Sequence, residues 1–379
     1  MVNIGMVAGE ASGDMLAGLL LGGLNAQGVD HQSVGIGGPL MAASGFTPWW
    51  SYHELAVRGY VEVLRHYPRI VGIRRQLADR LMARKPDLFV GVDAPDFNLD
   101  LELKLRSNGI PTVHFVSPSI WAWRPERIGK IRAACDHVLC IFPFEVDIYE
   151  RADVPATYVG HPLADLMPIT PERALARAGL GVRQDGPVVA LLPGSRTAEI
   201  AHLSPAFFAA AKLIHAEQAD ALFLLPAAPS KLPQIQRELA RAGLASVDWL
   251  RVIDGQSQAV LTASDATLIA SGTATLEAAL AKCPMVIAYN MPFISWQIMK
   301  RKRLQPWVGL PNILAQRFVV PELLQSEVTA ERLARETLRW LRDADAHAAA
   351  CATFTELHHT LKMNTALVAS DAIQKVIAR

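Results

Sequence analysis

The sequence predicts an α/β protein: two doubly wound, Rossmann-like domains facing across a cleft, followed by a helical C-terminal tail. Three observations predict it. Short apolar runs alternate with longer helical stretches, the pattern of βαβ units and a parallel sheet. The alternation breaks once, at GHPLADLMPITP (160–171), where three prolines and a Gly-His-Pro turn read as a linker, and then restarts. The chain has 379 residues, too long for one ordinary domain and comfortable for two.

In order, residues 4–8, 33–36, 88–92, 112–116 and 137–141 read as strands, being short, apolar and rich in β-branched residues. Helical stretches at 15–25, 60–84 and 100–107 separate them. After the linker come strand 188–191, helix 205–215, strand 221–225, helix 232–242, strand 250–253 and helix 257–263. Strand 267–269, helix 275–282 and strand 285–288 complete the alternation, and from Thr329 onward the pattern is helical. The expected domains are 1–163 and 164–345. The tail, 346–379, is expected to pack back on an N-terminal domain, its own or a partner's.

Lysine plus arginine number 37 against 36 acids, a balance that gives no reason to expect nucleic acid. The four cysteines, Cys135, Cys140, Cys283 and Cys351, show neither metal-ligand spacing nor a disulfide framework, which fits a reducing cytosol. The first residues lack the basic and apolar regions of a signal peptide, and no run of about 18 apolar residues is present. The expectation is a soluble chain, or one attached to a single membrane face.

In an open α/β sheet, ligands bind at the carboxyl ends of strands. LFVGVDAPDFN (88–98) carries Asp93 to such an end, where a carboxylate can be partly desolvated and act as a general base. AGEASGD (8–14) reads either as a strand-to-helix turn with Asp14 favouring the helix start, or as an acceptor site with Glu10 and Ser12 near sugar hydroxyls. It is not a G-x-G-x-x-G loop, which disfavours a dinucleotide dehydrogenase. GIGGP (35–39) reads as a turn. SPSIWAWR (117–124) offers either a sugar platform or a packed loop.

In the second half, LLPGSRTAE (191–199) runs from a strand into a helix. Its backbone N–H groups suit phosphate oxygens, and Arg196 adds a fork of donors. ASGTATLE (270–277) is a second cradle of small residues, with Glu277 placed to meet ribose hydroxyls. Two cradles in one domain favour a ligand with a diphosphate and a sugar. In VGLPNILAQ (308–316), Asn312 either caps a helix or reaches a ligand.

The stretch 60–85 joins apolar positions (Val61, Leu64, Tyr67, Ile70, Val71) to a run of arginines that includes Arg74 and Arg75. It reads either as a surface helix with a solvated basic face or as an amphipathic segment for an anionic membrane, with Trp49 and Trp50 upstream as anchors. FISWQIMKRKR (293–303) has the same character.

Together these segments resemble the lipid-A-disaccharide synthases, bacterial glycosyltransferases of the GT-B fold. The resemblance rests on AGEASGD, GVDAPDFN, SPSIWAWR, GHPLAD, LLPGSR, ASGTATLE, KCPMVIAY (282–289) and LPNILA (310–315), in that order through most of the chain. It implies an inverting transfer from UDP-2,3-diacylglucosamine to 2,3-diacylglucosamine 1-phosphate (lipid X), giving a β-1,6-linked disaccharide and UDP. It implies Asp93 as base, Arg196 as an essential arginine, Glu277 and Asn312 as contacts to UDP, and Glu10 as functionally important. Gly194, Ser195, Ser271, Gly272 and Thr273 are the accompanying donor contacts. Ser12, Asp96 and Asn98 are placed with the acceptor, although Asp96 also reads as a helix-start acid and as a rival base. No metal or cofactor is expected. Because both substrates carry acyl chains, the resemblance raises the membrane reading of 60–85, at the cytoplasmic face of an anionic inner membrane, with a homodimer left open. Val308-Gly309 and Gln316-Arg317 depart from the family pattern beside Asn312. The rivals are a UDP-N-acetylglucosamine 2-epimerase-like enzyme and a non-catalytic nucleotide-sugar-binding protein.

Overall fold

The computed structural model describes residues 1–378 except 56–59, 292–295, 298, 300 and 302, and it leaves the side chains of 60–66 undescribed. It divides the chain into two compact units, Met1–Asp165 with Leu361–Arg379, and Leu166–Thr360.

In the first unit, strands β1 (Val2–Ala8), β2 (His31–Gly37), β3 (Phe46–Ser51), β4 (Leu88–Val92), β5 (Thr112–Phe115), β6 (His137–Cys140) and β7 (Ala156–Tyr158) form a parallel sheet in the order β3-β2-β1-β4-β5-β6-β7. All five β4 residues are buried, as expected of a strand covered on both faces. One face packs on helices Ala11–Ala26 and Thr365–Ile377, through Leu20, Leu24 and Ile373. The other packs on helices Tyr60–Arg84 and Pro95–Arg106, through Leu77, Leu81 and Leu101.

In the second unit, β8 (Val188–Leu192), β9 (Leu222–Ala227), β10 (Leu250–Asp254), β11 (Ala266–Ala270), β12 (Met285–Tyr289) and β13 (Glu322–Leu324) form a parallel sheet in the order β10-β9-β8-β11-β12-β13. Each sheet winds outward from its first strand, so its direction reverses between β1 and β4 and between β8 and β11. Those two reversals are the crevices where ligands bind in such sheets.

Strands β3, β7 and β13 are not among those the sequence pattern predicts. β3 is an edge strand interrupted by Pro48, and β7 and β13 have three residues each, too few to show a period. The helix expected from Pro205 begins at Thr197, so Pro205 lies inside it rather than at its start. The helix expected at 100–107 begins at Pro95, one residue past Ala94.

GHPLAD receives the returning chain. His161 N donates to Leu361 O at 2.9 Å, and the Asp165 carboxylate accepts from Asn364 N and Thr365 N at 2.9 and 2.6 Å. That carboxylate therefore sits on the first N–H groups of the last helix, where an anion is favoured. Residues 346–360 belong to the second unit and 361–378 to the first, so the segment read as one tail is shared between them.

Candidate active site

β1 and β4 are paired in register from Ile4↔Leu88 to Ala8↔Val92, so their following loops leave the sheet side by side. They pack closely: a Cβ on Gly9 would lie 2.5 Å from Ala94 Cβ. Asp93 and Ala94 both take left-handed backbone conformations, at φ 52° and 44°. Such positions cost about 1–3 kcal/mol each and persist only where surroundings impose them. Here Asp93 N donates to Phe115 O and Asn98 Nδ2 donates to Asp93 O, each at 2.8 Å. Phe97 N and Asn98 N close onto Ala94 O at 2.9 and 3.0 Å.

This turn holds the Asp93 carboxyl half-buried at the mouth of the β1/β4 reversal. Burial pushes its pKa up. A hydrogen bond from the Ala94 backbone opposes the shift, Glu10 adds to it, and His114 works against it. A carboxylate that holds a proton more readily than usual is better matched to general-base work near neutrality. Glu10 is exposed at the start of helix Ala11–Ala26 and accepts from Ser12 Oγ at 2.7 Å. Glu10 and Asp93 thus come from loops that leave neighbouring strands, with Ser12 in the first turn of the helix after Glu10.

The other acidic and amide residues of these motifs are committed elsewhere. Asp96 is exposed and paired with Arg127 at 2.5 Å. Asn98 is fully buried and spends its amide N–H groups on the Asp93 loop, so it positions that loop rather than facing an acceptor. Asp14 lies in the first turn of its own helix, as expected, and it also binds a neighbouring turn. Its buried carboxylate accepts from Gly38 N, Leu40 N and Met41 N at 2.8, 3.0 and 3.2 Å, capping helix Pro39–Ala43 and fixing the GIGGP turn. In SPSIWAWR, Trp121 is packed: its Nε1 donates to Glu145 at 3.0 Å and its ring meets Phe144 edge-on. Burial pushes the Glu145 carboxyl up to about 7.

The second unit holds a pocket of about 450 Å³ at the carboxyl ends of β8, β9 and β11. Gly194, Ser195 and Arg196 line it from one turn, and Ser271, Gly272 and Thr273 from the other, with Glu277 on the helix Ala274–Leu280 that follows. Gly194 takes φ 119°, and a Cβ there would lie 2.6 Å from Glu199 Oε2, so the turn requires glycine. Ser195 N and Arg196 N donate to Glu199 Oε2 at 3.1 and 3.2 Å, which shows that these donors suit an anionic oxygen. The Arg196 side chain is 82% exposed, and its guanidinium reaches Glu199 Oε1 at 2.6 Å. Burial raises the Glu277 pKa, with Ser257 opposing the shift.

Lys231, Gln256 and Ser257 also line this pocket, and the sequence reading missed them. Lys231 precedes helix Leu232–Arg241, just past the end of β9. The strand-end rule that found Arg196 points to it equally.

Asn312 is not at the pocket wall. It is fully buried, donating from Nδ2 to Val320 O and Glu322 Oε1 and accepting at Oδ1 from Val319 N and Val320 N. Both amide hydrogens and both oxygen lone pairs are spent, leaving no capacity for a ligand. Asn312 instead orders the turn whose Val308 carbonyl accepts from Ser271 Oγ at 2.8 Å.

The family model for lipid-A-disaccharide synthetase matches residues 4–373. The chain belongs to the lipid-A-disaccharide synthase family. It is 56% identical over 381 residues to the lipid-A-disaccharide synthase of Albidiferax ferrireducens, covering 99% of this chain and 97% of the relative. It is 53% identical over 382 residues to that of Verminephrobacter eiseniae, covering 100% and 98%. The enzyme is therefore a glycosyltransferase of lipid A assembly. Among solved structures it is similar to a UDP-GlcNAc 2-epimerase from Neisseria meningitidis bound to UDP-GlcNAc, with TM-score 0.66, 12% identity and full coverage of both chains. It is also similar to a glycosyltransferase from Rickettsia africae, with TM-score 0.59, 12% identity and coverage of 100% and 98%. Those two likenesses establish the GT-B architecture alone. Full-length kinship lies with the synthases, which leaves the epimerase rival less supported.

For a synthase whose family name concerns a lipid precursor, the basic helix Tyr60–Arg84 is of interest. Tyr67 is 57% exposed and Arg75 is exposed. Arg74 is committed to Asp100 at 2.5 Å, and Ile70 packs against the core beside Leu77. Arg80 lies over Trp50 at 4.8 Å, so the two tryptophans pack on this helix instead of standing free as anchors. The Val61 and Leu64 side chains and much of 293–303 lie outside the described residues. No helix among the described residues is long and apolar enough to cross a membrane.

Proposed function

We propose that the enzyme transfers a 2,3-diacylglucosaminyl group from its UDP derivative to the 6-hydroxyl of 2,3-diacylglucosamine 1-phosphate. An α-linked donor giving a β-linked product requires one in-line displacement. The acceptor oxygen bonds to the donor's anomeric carbon, its proton passes to Asp93, and UDP leaves with the electron pair of the broken bond. The pocket in the second unit holds UDP. N–H groups of the Gly194–Ser195 and Gly272–Thr273 turns and the Arg196 fork neutralise the developing diphosphate charge, with Ser271 supporting the turn and Glu277 meeting the ribose. Glu10 and Ser12 orient the acceptor sugar. Asp96 stays with Arg127 and orders the helix start, and Asn98 and Asn312 act through the loops they hold.

The observation that carries this reading is the pocket itself. It gathers two glycine turns and an exposed arginine at the reversal point of a sheet, in a chain matched to the synthases over residues 4–373. Access to lipid runs through helix Tyr60–Arg84, which lays Tyr67 and Arg75 against the anionic cytoplasmic face of the inner membrane. The test is incubation of the full chain with radiolabelled UDP-2,3-diacylglucosamine and 2,3-diacylglucosamine 1-phosphate in detergent. Equimolar disaccharide and UDP are expected. An epimerised donor without disaccharide, or UDP binding without turnover, overturns the reading.

A further inference from the structure

Behind the Asp93 loop lies a buried polar cluster that the proposed chemistry does not use. His114 on β5 stands opposite Gly91 on β4, two residues before Asp93. Its Nδ1 is 2.7 Å from Glu102 Oε1, and both side chains are completely buried. Cys135 Sγ donates to the other carboxylate oxygen at 3.3 Å. The arrangement depends on Gly91, because a Cβ there would lie 2.1 Å from Glu102 Oε1. Glu102 and Asn98 are four residues apart on helix Pro95–Arg106, so the face that holds the Asp93 carbonyl also holds the pair. His114 Nε2 has no hydrogen-bond partner. Leaving a buried polar group unpaired is costly, so a purely space-filling role is better served by an apolar residue.

We propose that Glu102 and His114 are positioning residues for Asp93: a buried carboxylate–imidazole pair whose positive imidazole favours the proton-accepting form of the base. The proposal rests on Asp93 being that base. The groups facing Asp93 are Glu10, from the loop after β1, and His114, from β5. Burial and Glu10 push Asp93 toward holding its proton, and His114 opposes them. His114 in turn faces Glu102 and Asp93, and Cys135 beyond Glu102 faces Arg106 and Asp136. Burial alone lowers the imidazole pKa, but the two carboxylates outweigh it and the net shift is upward.

The test is the pH profile of kcat/KM for the acceptor in the full enzyme carrying His114→Gln, Glu102→Gln, or both. Loss of the positive imidazole, directly or through loss of its carboxylate partner, moves the acid limb to higher pH. Each single variant is expected to lose about three- to tenfold more activity at pH 6 than at pH 9, and the double variant to move the limb no further than the singles. A loss uniform across pH, or an unmoved limb, in both near-isosteric variants reduces the pair to a structural role and overturns the proposal. UDP affinity and melting temperature, measured alongside, report folding. Asp93→Asn separates the two readings. Retained activity there removes the base itself, whereas inactive Asp93→Asn with unmoved limbs removes only the pair.

Discussion

Asp93 and Asn312 mark the range of what single residues disclosed. Asp93 could be read because a strand end followed by Asp-Ala-Pro-Asp has one natural place in an open sheet. Its left-handed backbone could not, since it depends on contacts from Phe115 and Asn98 that are distant or local in ways no pattern reveals. Asn312 shows the limit from the other side. A Pro-Asn at a helix start reads as a cap or a ligand contact, and the structure spends all four of its hydrogen-bonding positions on Val319, Val320 and Glu322. Asn312→Ala is therefore expected to destabilise the second unit by about 3 kcal/mol, through several lost bonds and orphaned backbone groups. The folded fraction should keep UDP affinity within about threefold, because no direct contact is lost. Calorimetric melting and UDP titration check both halves. A tenfold affinity loss at unchanged stability restores Asn312 to the ligand.

At the scale of elements, continuous burial made structure legible. Helix Tyr60–Arg84 and strand β4 have the bounds the sequence gives them, because a fully buried strand and a long basic amphipathic helix are strong patterns. Three-residue edge strands carry no such pattern. The same helix shows why charge counts mislead. Arg74 and Arg80 belong to the fold, through Asp100 and the tryptophans, while Arg75 faces outward. Arg75→Glu is expected to weaken sedimentation with vesicles containing anionic lipid by about tenfold or more, at roughly 1 kcal/mol for each charge unit changed, with folding intact. Arg74→Ala is expected instead to lower the melting temperature. Equal vesicle binding by Arg75→Glu and the wild type contradicts the membrane assignment of this face.

At the scale of the whole molecule, the chain leaves its first unit at Asp165 and returns at Leu361. The sequence marked the departure through the prolines of 160–171, and a tail packing back was expected, but not the point, Leu361, at which the chain changes units. A helix in the interior of a tail looks the same whichever core its apolar face joins. Ala369, Ala372, Ile373 and Val376 complete the core around Leu20 and Leu24. Ending the chain after Thr360 uncovers that face and strips Asp165 of its two backbone donors. The first unit is then expected to lose cooperative melting and to aggregate, while the second, whose sheet and pocket need nothing past Thr360, still binds UDP. Hydrogen exchange on the truncated protein distinguishes this from a passive tail, which would leave protection in β1 and β4 unchanged.

In the proposed reaction, a carboxylate on the β4 turn takes the proton from the acceptor hydroxyl while the second unit holds UDP. The most direct test is the rate of radiolabelled disaccharide formation by Asp93→Asn, with UDP affinity measured on the same preparation. The expected result is a fall in kcat of about 10²–10⁴-fold with UDP affinity within about twofold of wild type. Activity within a few-fold of wild type would contradict the claim and return the search for the base to Glu10 and Asp96.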